Sequence, residues 1–237
     1  MSPPDQTTEP TKPARITGAD PSSWDTFALT HLIDPPGVAE RCLDLGCGPG
    51  ARRDLTELGF RYVGIDRFAV PGADLLGQAE AIPLADGSFH LVVAASSFEH
   101  FSDPWAAARE VARILKPGGC LVASLSFLEP YHARSHFHMS HLGARVLFEG
   151  VGLEVEVVEP FEWSGPEATF QALFQLAPAR WIAAAMTRPA LWLRQRVIRL
   201  LIDRLPEGPR RIRAREFLEE ERFRFTAGIK IKARKKS

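Results

Sequence analysis

The sequence predicts an α/β fold on a mostly parallel sheet, and three features predict it. A short apolar run, Cys42-Leu43-Asp44-Leu45, enters a glycine-dense turn, Gly46-Cys47-Gly48-Pro49-Gly50, which opens a helix near Ala51. A second run, Arg61–Ile65, ends in Asp66, 22 residues beyond Asp44. A third, Phe89–Ala95, is too continuously apolar for a strand with one wet face. Strand, tight turn and helix start, in that order, present unpaired backbone N–H groups to whatever sits above them. Glycine at 46, 48 and 50 lets a ligand lie against the backbone and allows positive φ.

The 237 residues, 45% hydrophobic and 24% charged, fit one α/β domain with an accessory segment and a sizeable core. Cys42, Cys47 and Cys120 are scattered. They suggest neither a disulfide framework nor a zinc cluster, and the expected compartment is the reducing cytoplasm. Met1–Asp20 is polar and proline-rich; it reads as a disordered leader and lacks the apolar centre of a signal peptide. No apolar run is long enough to span a bilayer. The net charge of zero hides an asymmetry. Met1–Ala179 carries 12 Lys and Arg against 23 Asp and Glu, whereas Arg180–Ser237 carries 17 against 6. A basic block follows an acidic domain.

Taken in order, Pro21–Leu32 reads as a helix with a cap at Ser22 or Ser23, followed by a turn at Asp34-Pro35-Pro36-Gly37. Arg41–Leu45 is the first strand, Pro49–Leu58 a helix, and Arg61–Ile65 the second strand. Leu75–His90 holds the third-strand region, and Phe89–Ala95 is a buried parallel strand. Trp105–Leu115 is a helix stopped by Lys116-Pro117-Gly118-Gly119, and Cys120–Phe127 the next strand. A histidine-rich loop (Tyr131, His132, His136, His138, His141) precedes a helix over Leu142–Gly150 and a strand over Leu153–Val158. Glu167–Leu205 reads as largely helical, interrupted at Pro178 and Pro189, with a break at Pro206–Arg211. Phe223–Arg234 alternates as a last strand, with Phe225, Ala227, Ile229 and Ile231 on one face and Arg224, Lys230 and Lys232 opposite.

The Leu43–Gly50 stretch, reading LDLGCGPG, resembles motif I of the class I S-adenosylmethionine (SAM)-dependent methyltransferases, of the methyltransferase type 11-like subgroup. The resemblance covers about Arg41 to Glu159 and includes the Leu-Lys-Pro-Gly-Gly turn at residues 115–119. It implies a Rossmann-like, seven-stranded sheet whose antiparallel seventh strand inserts beside the sixth. The long helical piece is then an insertion between strands six and seven. The expected organisation is a leader (1–20), a SAM-binding core (21–166), a helical insertion (167–222), and a last strand with basic tail (223–237). In this family the glycine loop wraps the amino-acid end of SAM. The turn lacks the Lys-Ser/Thr of a phosphate loop, and Asp44 would repel phosphate, so SAM is favoured over a dinucleotide.

The expected cofactor contacts are therefore Asp44, Gly46, Cys47, Gly48, Gly50, Asp66, Arg67, Gln78, Ala79 and Ser96. Asp66 can accept from both ribose hydroxyls, since an acidic residue about 20 positions past the glycine turn ends the next strand. Gln78 stands where the family usually has an adenine-binding Asp; its carbonyl accepts without charge assistance. His90 replaces another family Asp and is placed at a strand edge, outside the chemistry.

Methyl transfer is an in-line displacement, and a hydroxyl acceptor must lose a proton. His100, in the segment after the fourth strand, is the candidate base or acceptor-positioning residue, because imidazole titrates near neutral pH. His138, with His136, is expected near the substrate mouth. Some quinone-biosynthesis O-methyltransferases carry Glu-x-x-Glu-His here as a divalent-metal site; Ser96-Ser97-Phe98-Glu99-His100 lacks the first carboxylate, and no metal is expected. The histidines at 132–141 lack cysteines or a Glu-x-x-His arrangement.

Ala190–Leu205 places Leu191, Val197, Ile198, Leu201, Ile202 and Leu205 around one apolar face, with Arg194, Arg196, Arg199 and Arg204 mostly opposite or bordering it. Upstream, Trp181, Ile182 and Met186 add apolar bulk. Such a helix packs as a lid or dimer element, the reading preferred here, or lies on an anionic membrane through 181–205. The expectation is a SAM-dependent methyltransferase acting at oxygen on a small or lipid-linked molecule, cytoplasmic or membrane-associated. The alternatives are a non-catalytic SAM-fold scaffold and an RNA or protein methyltransferase using the basic block. Nucleic acid ranks lower, because no binding motif is present. Neither the acceptor nor the oligomeric state is encoded in a readable motif.

Overall fold

The computed structural model describes residues 29–37, 40–49, 53–129, 132, 134–161, 179–224 and 226–237. The leader, most of the 21–32 segment with Trp24 and Phe27, Gly50, Tyr131, Phe225, Pro178 and the start of the insertion fall outside them, and the side chains of Trp181, Ile182, Met186 and Leu191 are likewise not described. The described elements are β1 (Arg41–Leu45), α1 (Arg53–Glu57), β2 (Arg61–Asp66), β3 (Leu75–Leu76), β4 (Phe89–Ala94), α2 (Pro104–Ile114), β5 (Leu115–Ser126), α3 (His141–Glu149), β6 (Leu153–Pro160), α4 (Ala179–Asp203), α5 (Pro209–Glu220) and β7 (Gly228–Lys235).

They build a seven-stranded sheet in the order β3-β2-β1-β4-β5-β7-β6. The first five strands are parallel, and β7 runs antiparallel to both β5 and β6. One core cluster joins Leu43, Leu45, Val92, Leu121 and Ile231 to α2 (Ala107, Val111, Ile114) and α3 (Ala144, Leu147, Phe148). The other face packs Cys42, Leu91, Val93 and Val122 against Leu55, Leu29 and Leu32. Leu29 and Leu32, the latter in a 3-10 turn over Thr30–Leu32, therefore cover the sheet. α2 starts cleanly because the Asp103 side chain accepts from the Ala106 N–H and Pro104 occupies the first turn.

Several boundaries differ from the sequence reading. The Lys116–Gly119 turn lies inside the continuous β5, with Gly118 at φ +78° and a register shift between Phe89 and Leu91 opposite it. Pro189 does not interrupt its helix: α4 runs through it as one 25-residue element. Pro189 and Ala190 face solvent, so the cost is limited to a missing N–H and local crowding. The 206–211 break is short, and α5 starts at Pro209. The last strand begins at Gly228, because Glu221–Phe223 is a 3-10 turn.

Lys230 and Lys232 do lie opposite Ile229 and Ile231, yet both are buried, since β7 has a neighbour on each side. β6 supplies counter-charges to both. Glu159 is 3.6 Å from Lys230, Glu156 is 3.8 Å from Lys232, and Asp34 takes a 2.7 Å hydrogen bond from Lys232. Part of the basic block is thus spent inside the sheet.

Arg113 on α2 ties down the loop that leads to β4. Its guanidinium donates to Leu84 O (2.8 Å), Ile82 O (2.9 Å) and Asp86 (2.6 Å), while pairing with Glu110. Glu110 in turn accepts from Ile82 N–H at 2.7 Å. Arg113→Ala is expected to cost about 2 kcal/mol in urea unfolding, because it strands carbonyls and a carboxylate together.

Candidate functional site

A cavity of about 990 Å³ opens at the C-terminal ends of β1, β2 and β4, where parallel sheets bind ligands. One side is lined by Leu45, Gly46, Ile65, Asp66, Arg67 and Phe68, with Gly77–Glu80 beside them. The other side is lined by Ser96, Ser97, His100–Ser102 and Arg134–His136.

The glycine turn is shaped by close contacts. Gly46 sits at φ +74°, and a Cβ there would stand 2.7 Å from Ser97 Oγ. Its N–H and that of Cys47 both donate to Ile65 O, which folds the turn back onto β2. Gly48, at φ +65°, would bring a Cβ within 4 Å of no described residue, and the positive φ itself favours glycine there. Gly48 N–H donates to Asp66 Oδ2 at 3.0 Å, and Phe68 N–H donates to Oδ1 at 2.9 Å. Asp66 therefore anchors the glycine turn and its own loop together, and each oxygen retains further acceptor capacity toward the cavity.

The other expected cofactor contacts divide. Gly46, Asp66, Arg67, Gln78, Ala79 and Ser96 line the cavity. Asp44 is fully buried beneath it, accepting from Tyr62 O–H at 3.1 Å. Cys47 is buried too; burial, then Asp44 and Asp66, push its thiol up to about 12, so it is not a nucleophile. Ser96 adopts φ +46°, with its N–H donating to Ser124 Oγ at 2.8 Å. Gly50 lies outside the described residues. His90 lies at the opposite end of β4, accepting from Arg41 N–H and 3.1 Å from Lys116 Nζ.

Glu80 escaped the sequence reading. It lines the cavity and accepts from Ser102 N–H (2.9 Å), Ser102 O–H (2.8 Å) and Asp103 N–H (3.3 Å). Burial works against its charge, but these bonds prevail and hold the carboxyl below its usual range. The loop after β4 is thereby fastened to the loop after β3.

His100 lines the cavity. Burial, then the neighbouring His132, lower its pKa against a hydrogen bond with the Arg134 backbone, so the ring is neutral at pH 7. Its Nδ1 is buried without a hydrogen-bond partner among the described residues. His132 packs edge-on with ring centroids 5.5 Å from His100, and His138 is 5.6 Å from His132. His136 lines the cavity, whereas His138 sits behind it, 3.1 Å from Ser135 Oγ. His141 is elsewhere, stacked on Phe223 at 4.2 Å.

Glu99 holds this loop. Its backbone carbonyl accepts from His136 N–H (2.6 Å) and Phe137 N–H (3.2 Å). Its side chain is 1% exposed, and burial pushes its pKa up to about 7. The Ser126 hydroxyl lies 2.8 Å from Glu99 Oε1 and 2.9 Å from Glu129 Oε2. One hydroxyl proton cannot serve two ionised carboxylates, so the trio requires an additional proton or cation.

Known proteins share both the sequence pattern and this fold. Residues 43–123 match the family model described as a methyltransferase domain. An uncharacterized methyltransferase of Mycobacterium tuberculosis is 43% identical over 110 residues, 42% of this chain and 44% of that protein. The aligned part thus spans less than half the length of that curated relative. An uncharacterized methyltransferase of Mycolicibacterium paratuberculosis is 26% identical over 221 residues, 77% of this chain and 84% of its own length. Among solved structures, the [4+2]-cyclase SpnF superposes with a TM-score of 0.56 at 19% identity, covering 94% of this chain and 85% of that one. The Haemonchus contortus phosphoethanolamine N-methyltransferase 2, solved in complex with SAM, gives 0.56 at 14% identity over 89% of this chain and 52% of its own. Both likenesses concern the fold. Among the described residues, no helix is long and apolar enough to cross a membrane.

Proposed function

We propose that the protein moves a methyl group from SAM to an oxygen of a small or lipid-linked acceptor, a reading supported by the match of residues 43–123 to a methyltransferase-domain model. The observation that carries this reading is the two-sided cavity. Gly46, Asp66, Gln78 and Ala79 line it together with neutral His100, Ser135 and His136, a lining that suits a cofactor beside an acceptor. When bound, SAM supplies an electrophilic methyl on a sulfonium. Asp66 would accept from the ribose hydroxyls, Gln78 would face the adenine, and the Gly46–Gly48 backbone would lie along the amino-acid end. His100 would position the acceptor hydroxyl or take its proton, with His138 bracing the loop through Ser135.

The lipid-linked arm is supported by α4. Trp192, Leu193, Val197, Leu200 and Leu201 are all exposed, and Ile202 of the expected apolar face is buried. Arg196 lies over the Trp192 ring at 5.1 Å, an arrangement suited to a membrane interface. Of the expected apolar face, Val197 and Leu201 are exposed while Ile202 is buried and Ile198 and Leu205 are partly covered. One border therefore packs down, and the exposed border with Trp192, Leu193 and Leu200 is what supports peripheral contact. Leu200→Glu is expected to lower co-flotation with anionic vesicles several-fold without changing SAM affinity.

The test is S-adenosylhomocysteine release from SAM with hydroxylated, lipid-linked and amine acceptors, with and without anionic vesicles. Turnover restricted to hydroxyl acceptors supports the reading. Turnover on amines alone moves the acceptor atom to nitrogen. SAM binding with no product from any acceptor favours the scaffold alternative, and salt-sensitive RNA binding with RNA methylation favours the nucleic-acid one.

A further inference from the structure

We propose that Glu99, His100 and His132 form a binding site for one divalent first-row transition ion of the zinc type, on the acceptor side of the cavity. Their ligand atoms all lie within 4.8 Å of one another. Tetrahedral ligands about 2.1 Å from a zinc ion stand roughly 3.4 Å apart, so closure needs only side-chain adjustment.

A second observation points the same way. Glu99 Oε2 and His100 Nδ1 are both buried and lack a hydrogen-bond partner among the described residues. Buried polar atoms are normally satisfied, and Glu99 is 1% exposed. Two orphaned lone pairs in adjacent residues, close to a third imidazole, are what a cation would satisfy. The surroundings supply the outer contacts that orient metal ligands. Ser126 O–H holds Glu99 Oε1 at 2.8 Å, the Arg134 backbone hydrogen-bonds His100, and Glu129 Oε2 stands 3.8 Å from His132 Nδ1.

Two imidazoles and one carboxylate select zinc or its neighbours over Mg²⁺, which prefers an all-oxygen octahedron. His132 comes from the loop after β5, far in sequence from Glu99 and His100. Three protein ligands leave a fourth position open, and His100 lines the cavity. A role there rests on the methyl-transfer reading; the site itself does not. An acceptor hydroxyl on the ion would lose its proton to solvent more readily. Its oxygen would then bond the methyl carbon while the carbon–sulfur bond breaks, leaving the electron pair on sulfur. His100 would then act as a ligand, not as the base.

The experiment uses full-length, chelator-treated protein titrated with Zn²⁺, with Co²⁺ as a spectroscopic probe and Mg²⁺ as a competitor. The expected result is one tightly bound Zn²⁺ per chain, a Co²⁺ visible spectrum of four-coordinate type, and no displacement by millimolar Mg²⁺. His132 is partly exposed, so His132→Ala leaves the fold intact; it is expected to weaken Zn²⁺ binding at least 100-fold, and Glu99→Gln to do the same. Absence of stoichiometric Zn²⁺ in the wild type overturns the proposal, as does binding that survives both substitutions. SAM affinity measured on the same samples keeps the two readings apart. Retained SAM binding with no Zn²⁺ site removes only the metal, and lost SAM binding with an intact Zn²⁺ site removes only the cofactor assignment.

Discussion

Asp66→Ala is expected to weaken SAM binding about 100-fold, which is about 2.7 kcal/mol. The carboxylate accepts from Gly48 and Phe68 N–H groups, which fixes the glycine turn, and it lines the cavity, where the proposed function puts the ribose. Charge-assisted bonds of this kind contribute about 1.5–3 kcal/mol each, so losing even one accounts for the effect. Asp66→Asn keeps the shape and one acceptor, and it should fall between wild type and alanine. Calorimetric titration with SAM and S-adenosylhomocysteine measures this, and unchanged affinity in Asp66→Ala would exclude the ribose role.

In chelator-treated protein, Glu99→Gln is expected to remove a pH dependence worth about 3 kcal/mol. The Glu99 carboxyl is raised to about 7 in the folded chain, from the usual 4.5. A raised carboxyl means that the folded state holds a proton the unfolded chain has released. Its penalty is therefore absent below about 4.5, grows as pH rises, and is complete above about 7. Wild-type stability should fall between about pH 4.5 and 7 and level off above that, at about 1.4 kcal/mol per unit over the steepest part. Glutamine is neutral throughout and can donate an N–H to Ser126, so its profile should be flatter and higher at about pH 8. Urea unfolding across that range would show parallel profiles if Glu99 were ionised in the fold.

The parts of the site built from adjacent residues were legible in the sequence. The turn after β1, Asp66 at the end of β2, and Gln78 and Ala79 after β3 all reach the cavity because each follows a parallel strand by a few positions. The order of the last two strands was legible only through family resemblance, since alternation alone shows a strand and not its neighbours. It also could not tell that Lys230 and Lys232 would be buried, because burial of that face depends on strands on both sides. The Glu99–Ser126–Glu129 trio was hidden for a related reason. Glu99 follows β4 and Ser126 ends β5, and only the pairing of those strands brings the two side chains to 2.8 Å. Nothing in local periodicity records such a contact. Pro189 misled in the opposite direction, through a local rule that an exposed helix could override.

The place of β7 between β5 and β6 has a consequence for how the chain is made. β6 ends at Pro160 and pairs with β7, which begins only at Gly228. At about 5–20 residues per second, a ribosome needs several seconds to cover that interval. Through that time β6 and the free side of β5 wait as unpaired strand edges, one bearing the sequence Val-Glu-Val-Val and the other Leu-Val-Ala-Ser-Leu. Exposed edges of that kind recruit one another across chains. The acidic residues of β6, Glu154, Glu156 and Glu159, give the waiting strand a net negative charge that keeps copies apart, and the lysines that neutralise two of them arrive on the very strand that ends the wait.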